Sequence, residues 1–126
     1  MPTSIISFGF NKPIMVDGSP VFEFENRKSR LYRGSNLILD VRGWLPRNPY
    51  HNKKLRQLRG TDLVVQAEIQ KTPGFQDSLL EILEVVKNHH GIVWIGCTGG
   101  HHRSVFITEL LGKTLGVPVK HLHINV

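Results

Sequence analysis

"GIVWIGCTGGHHRSVFITELLGKTL", residues 91–115, decides how the chain is read. Its first part, Gly91 to Gly96, is almost continuously apolar and rich in β-branched side chains. A run of that kind predicts a strand buried on both faces, as strands of parallel sheets are. Its last part, Arg103 to Leu115, repeats apolar side chains at helical spacing, and Gly116, Val117 and Pro118 supply the stop. Between strand and helix lie Cys97 to His102. Successive N–H groups in such a turn curl toward one point, and the helix N-terminus adds partial positive charge, which together favour an anion. Gly99 and Gly100 remove the Cβ atoms that would keep a ligand away. Arg103 offers a bidentate fork and Ser104 a hydroxyl.

The same reading extends outward. "SIISFGF" (4–10) and "NLILDV" (36–41) predict two further strands, and "VKHLHIN" (119–125) alternates as an edge strand does. "FQDSLLEILEVVKNHH" (75–90) predicts an amphipathic helix with His89 and His90 at its solvated end, and 62–71 a shorter helix before Pro73-Gly74. The succession implies an α/β fold: a mostly parallel sheet of about four or five strands flanked by helices, in one domain over 1–126. Residues 12–35, with "VFEFE" as a short strand, and residues 42–61 read as loops.

The chain has 126 residues, a formal charge of +6 and a single cysteine, so no internal disulfide can form. No basic leader precedes an apolar run at the N-terminus, and no stretch approaches the roughly 20 residues that cross a bilayer, so a cytoplasmic domain without membrane contact is expected. The positive balance favours anionic partners.

From Cys97 to Arg103 the spacing is C-x5-R followed by Ser, similar to the phosphate loop of cysteine-dependent phosphatases. In such a loop a thiolate attacks phosphorus while amides and arginine hold the phosphate. Asp40 and Asp62 are the candidate general acids, but Gly96 stands where those enzymes carry histidine. "GKT" at 112–114 lacks the glycine a nucleotide-binding loop needs five residues earlier, Ile107 being there. His121 and His123 share a strand face without companion ligands at matching spacing, so neither a metal nor another cofactor is expected.

"SFGF" (7–10), "DVR" (40–42), "LPRNPYH" (45–51), "LRQLRGTD" (55–62) and "IGCTGGHHRSVFITELL" (95–111) resemble, in this order, the RapZ C-terminal domain family. The resemblance implies a phosphosugar-sensing, RNA-binding regulatory module that takes a ligand such as glucosamine-6-phosphate. Carried over, Asp40, Arg42, Cys97, Thr98, Gly99, Gly100, His102, Arg103 and Ser104 line the pocket, with Asp40 accepting from ligand hydroxyls or an amine. His51, Arg56, Gly60 and Asp62 form a second lining segment. The expected partner is a phosphorylated small molecule, a phosphosugar or nucleotide, and the chain is more a binding module than an enzyme. Self-association into a homo-oligomer is left open. Arg27, Lys28, Arg30, Lys53 and Lys54 are candidate RNA contacts, with Trp44 and Tyr50 as stacking partners. Here Asn11, Lys12 and Pro13 follow "SFGF", where the family continues with lysine and histidine, and the basic tail is absent.

Overall fold

The structure, a computed structural model, describes residues 1–12, 14–22, 24 and 29–126. Among the described residues there are seven strands: β1 (Ser4–Gly9), β2 (Met15–Val16), β3 (Ser19–Pro20), β4 (Arg30–Arg33), β5 (Asn36–Asp40), β6 (Ile92–Cys97) and β7 (Val119–His121). Three α-helices accompany them, α1 (Leu63–Gln70), α2 (Phe75–Lys87) and α3 (Arg103–Leu115), with a 3-10 turn at Pro49–His51. Five strands form one sheet in the order β4-β5-β6-β1-β7. β5, β6, β1 and β7 run parallel, and β4 joins the β5 edge antiparallel. The α/β class and the mostly parallel sheet agree with the sequence.

Strand alternation divides the core. Leu37, Leu39, Val93, Ile95 and Ile5 face the helices, where Ile69, Ile82, Val86, Phe106, Ile107 and Leu111 complete a single buried cluster. Ile38 and Phe8 face the other way, onto Ile14, Val16 and Val21 of the segment around β2 and β3. All three helices therefore cover the same face, and a short hairpin covers the other. Both faces being covered explains why β5 and β6 carry almost no polar side chain.

Three local expectations are corrected. Arg30–Arg33, read as loop, pairs with Asn36–Leu39 through a tight turn at Gly34, whose φ is 55°. Its side chains alternate between exposed and half-buried because it is an edge strand, so no apolar run announces it. β7 stops at His121: Leu122 N–H still donates to the Ser7 carbonyl (3.0 Å), but the next donor of β1, Gly9 N–H, goes to the His123 ring and not to a backbone carbonyl. α2 ends at Lys87, and His89 leaves solvent to place Nε2 2.7 Å from the Ser35 carbonyl. The strand expected over 21–25 and the basic pair Arg27 and Lys28 lie outside the described residues or partly so.

The sheet register sets Gly9 opposite Cys97, so the end of β1 runs beside the turn after β6. A Cβ on Gly9 would overlap the Gly99 carbonyl carbon and lie 2.5 Å from its oxygen. Gly9→Ala therefore forces two backbones apart, and urea denaturation is expected to show a loss of about 3 kcal/mol, the scale of overpacking a well-packed interior.

Candidate functional site

The strand-to-helix turn is held in place from three sides. Phe10 N–H donates to the Cys97 carbonyl (2.9 Å) and Asn11 N–H to the Thr98 carbonyl (3.1 Å), while Lys12 Nζ donates to the Gly99 carbonyl (2.7 Å). From the opposite side, Gly60 N–H donates to the His101 carbonyl (2.8 Å). A Cβ on Gly60 would overlap the His102 carbonyl oxygen, so this approach too requires glycine. Gly100 takes φ 76°, and its missing Cβ would lie 2.6 Å from Gly9 N. These contacts engage the carbonyls of Cys97, Thr98, Gly99 and His101. Among the described residues, no protein acceptor takes the N–H groups of Gly99, Gly100, His101 and His102.

Gly99, His101 and His102 line a cavity of about 310 Å³ together with Asn11, Asn48, Tyr50, Cys97, Thr98 and Arg103. It sits where β1 and β6 end and the 13-residue α3 begins, the crevice position that α/β sheets offer to ligands. Among the expected pocket residues, Cys97, Thr98, Gly99, His102 and Arg103 line it. Gly100 and Ser104 shape the turn from behind. Ser104 is fully buried, and its Oγ accepts from the Cys97 thiol at 3.1 Å. Arg103 is 3% exposed and donates through Nη1 to the Leu45 carbonyl (3.0 Å).

Asp40 and Arg42 are paired with each other. Arg42 donates through Nε to Asp40 Oδ1 (3.0 Å) and through Nη2 to Oδ2 (2.8 Å), and Arg42 N–H adds a bond to Oδ1 (3.0 Å). Both side chains are buried, with the guanidinium 5.0 Å from the Phe10 ring centre and Nη1 3.4 Å from Thr98 Oγ1. Both oxygens of Asp40 thus serve the protein, and neither residue lines the cavity. The pair reaches the turn through Thr98 Oγ1.

The second segment is corrected likewise. His51, Arg56, Gly60 and Asp62 do not line the cavity; Asn48 and Tyr50 of the same stretch do. Asp62 precedes α1 and accepts from Arg59 N–H (2.6 Å), and Arg56 lies 4.5 Å over the Tyr50 ring. Asn48, Tyr50, Asn11 and His101 were missed. An Asn-Pro-Tyr turn was the signal for two of them: the Asn48 side chain caps the 3-10 turn by accepting from Tyr50 N–H (3.1 Å). Of the stacking candidates, Tyr50 is half-exposed, whereas Trp44 is buried with Nε1 donating to Glu81 (2.6 Å). Arg30, Lys53 and Lys54 are exposed.

The histidines around the turn are held neutral. Burial, above all, lowers His102 below the ordinary histidine range, and the neighbouring His101, Arg59 and Arg103 add to it against the Leu58 carbonyl. Burial likewise lowers His101 and His123, with Lys12 contributing to both. His121 bridges Ser7 Oγ (2.6 Å) and Glu109 (2.7 Å), tying β7 to β1 and α3. Among the described residues, no three metal-binding side chains converge, and no helix is long and apolar enough to cross a membrane.

The mostly parallel α/β sheet thus carries a glycine-built turn beside a cavity at the N-terminus of α3. The chain belongs to the RapZ C-terminal domain family, whose model matches residues 1–126. It is 38% identical over 104 residues to a nucleotide-binding protein of Cereibacter sphaeroides, covering 72% of this chain and 34% of the relative. It is 34% identical to nucleotide-binding proteins of Desulforamulus reducens, over 122 residues (89% and 35%), and of Corynebacterium glutamicum, over 138 residues (97% and 38%). The chain spans about a third of the length of these relatives.

Removing Asp40 strands a buried guanidinium. Asp40→Ala is therefore expected to cost about 3–5 kcal/mol in urea unfolding, whereas a residue that merely faced a ligand would leave stability unchanged.

Proposed function

We propose that this domain binds a phosphorylated metabolite, a phosphosugar such as glucosamine-6-phosphate or a nucleotide, in the cavity bounded by residues 97–103. The observation that carries the reading is the turn itself: the carbonyls of Cys97, Thr98, Gly99 and His101 are engaged by the protein, the N–H groups of Gly99, His101 and His102 have no acceptor among the described residues, and these three residues line the cavity. Phosphate oxygens supply the acceptors these amides lack, and α3 contributes its dipole. Tyr50 and the side-chain amides of Asn11 and Asn48 supply the flat surface and the polar groups that orient a sugar or base. The names of the relatives agree with a phosphate-bearing ligand.

RNA binding extends this reading. Exposed Lys53 and Lys54 lie in the same 42–61 segment as Tyr50, with Arg56 over its ring, and Arg30 is exposed on the sheet edge. Through these a regulatory domain would contact phosphates and stack one unpaired base. A second reading is phosphotransfer through Cys97, favoured because this residue lines the same cavity. Under that reading Cys97→Ser abolishes turnover of a phosphate ester; turnover unchanged by the substitution removes it.

Gly99 gives the sharpest test of the main reading. A Cβ there meets only the His101 ring, at 3.6 Å, so Gly99→Ala is expected to fold normally while placing a methyl group on the cavity wall. Displacing one charge-assisted hydrogen bond, worth about 1.5 kcal/mol or more, weakens phosphate-ester binding roughly tenfold. Calorimetry with a panel of phosphosugars, nucleoside monophosphates and a single-stranded RNA checks this. Binding by none of the phosphate esters, or equal binding by the variant, overturns the reading.

A further inference from the structure

Residues 122–126 follow β7 and run beside the turn. Leu122 N–H donates to the Ser7 carbonyl (3.0 Å), and beyond it the segment is held by side chains. His123 accepts the Gly9 N–H at Nδ1 (2.8 Å), Arg59 Nε donates to the Ile124 carbonyl, and His101 Nε2 lies 2.7 Å from the Val126 oxygen. The Gly9 bond is buried, whereas the His101 contact is exposed. His123 is itself buried, and a Cβ on Gly100 would lie 2.9 Å from the His123 Cβ, so the segment rests against the turn.

Two histidines of this stretch answer a proton in opposite ways. His121 has an oxygen at each ring nitrogen, Ser7 Oγ at Nδ1 (2.6 Å) and Glu109 Oε1 at Nε2 (2.7 Å). An imidazolium donates from both nitrogens and so keeps both contacts. His123 faces a donor instead. Its Nδ1 accepts only while it carries no hydrogen, so the neutral ring bears its hydrogen on Nε2, and a proton on Nδ1 sets two N–H groups against each other. Gly9 N–H then stays buried without its acceptor, the costly way to lose a hydrogen bond. Among the described residues, Lys12 in the loop after β1 and His101 in the turn are the charged and titratable groups facing His123; burial first, and these two after it, hold His123 below the ordinary histidine range. Glu23 and Glu25 lie outside the described residues and enter through the test.

We propose that residues 122–126 are an acid-released strap: a proton from solvent on His123 Nδ1 expels the Gly9 N–H, and the segment leaves the end of β1 and the turn while His121 keeps β7 in place. No covalent bond changes. Opening withdraws the Val126 oxygen from His101, which lines the cavity, so the release reaches the cavity wall whatever the cavity binds. Once released, His123 returns to the ordinary range near about 6.5, above its value in the closed strap. The closed form is therefore fully favoured above about pH 6.5 and weakens as the pH falls through that value toward the lowered one.

Amide and imidazole NMR of the whole chain, titrated from about pH 8 to about pH 5 across the histidine range, tests this. At the upper end His123 is expected as the Nε2–H tautomer, with the Gly9 amide protected from exchange. Below about pH 6.5 the Gly9 protection factor is expected to fall by up to about tenfold per pH unit. The amides of residues 123–126 should shift at the midpoint of His123's own Cε1–H signal, and those of β5 and α2 should stay still. His123→Asn puts Oδ1 where Nδ1 stands, an acceptor at every pH, and is expected to flatten the Gly9 profile. Glu23→Gln combined with Glu25→Gln is expected to leave the transition in place. Should His123→Asn fail to fold, the coincidence of the His123 and Gly9 midpoints decides. The strap is overturned if no transition occurs over this range, if the Gly9 transition survives His123→Asn or tracks the His101 or His102 signal, or if it vanishes when Glu23 and Glu25 are neutralised.

Discussion

Three backbone approaches that only glycine permits set the geometry of this domain. Gly9 abuts the Gly99 peptide, Gly100 abuts Gly9, and Gly60 abuts the start of α3. Each missing Cβ lets one segment lie against the next and capture its carbonyls, so the turn is fixed from both flanks. A turn held by its carbonyls presents its amides. Its capacity to receive an anion follows from how it is packed, before any charged side chain is considered. The buried Asp40–Arg42 pair completes the support from the end of β5 by reaching Thr98.

That support also explains the division of labour among the charged groups. Asp40, Arg42 and Ser104 act on the turn from the protein side, while Arg103, His101 and His102 border the cavity. Among the described residues, the cavity is lined by Arg103 and two imidazoles and by no carboxylate. The groove beside α2, lined by Asp77, Glu81 and Glu84 with Arg30 and Trp44, has the opposite character.

The parallel strands and α3 were legible because full burial leaves an unmistakable apolar run, and the Cys97–Arg103 turn because its glycines stand between two such runs. β4 was not legible, since an edge strand with exposed arginines carries no periodic apolar signal. Asp40 looked like a ligand acceptor because "DVR" reveals neither that Arg42 folds back two residues nor that both become buried. Asn11 and Tyr50 reach the cavity through tertiary packing of irregular segments, which local sequence does not encode. His101 was overlooked beside His102 for a related reason: identical adjacent residues become distinguishable only when the backbone fixes which carbonyl each one meets.

The central claim is that the amides between β6 and α3 receive a phosphate. Backbone amide NMR during titration with glucosamine-6-phosphate tests it at the atoms concerned. The account predicts saturating shifts of the Gly99, Gly100, His101 and His102 amides, with smaller shifts at Asn11 and Tyr50 and none along α2. Saturating shifts confined to the α2 groove, with the four turn amides unmoved, would contradict it.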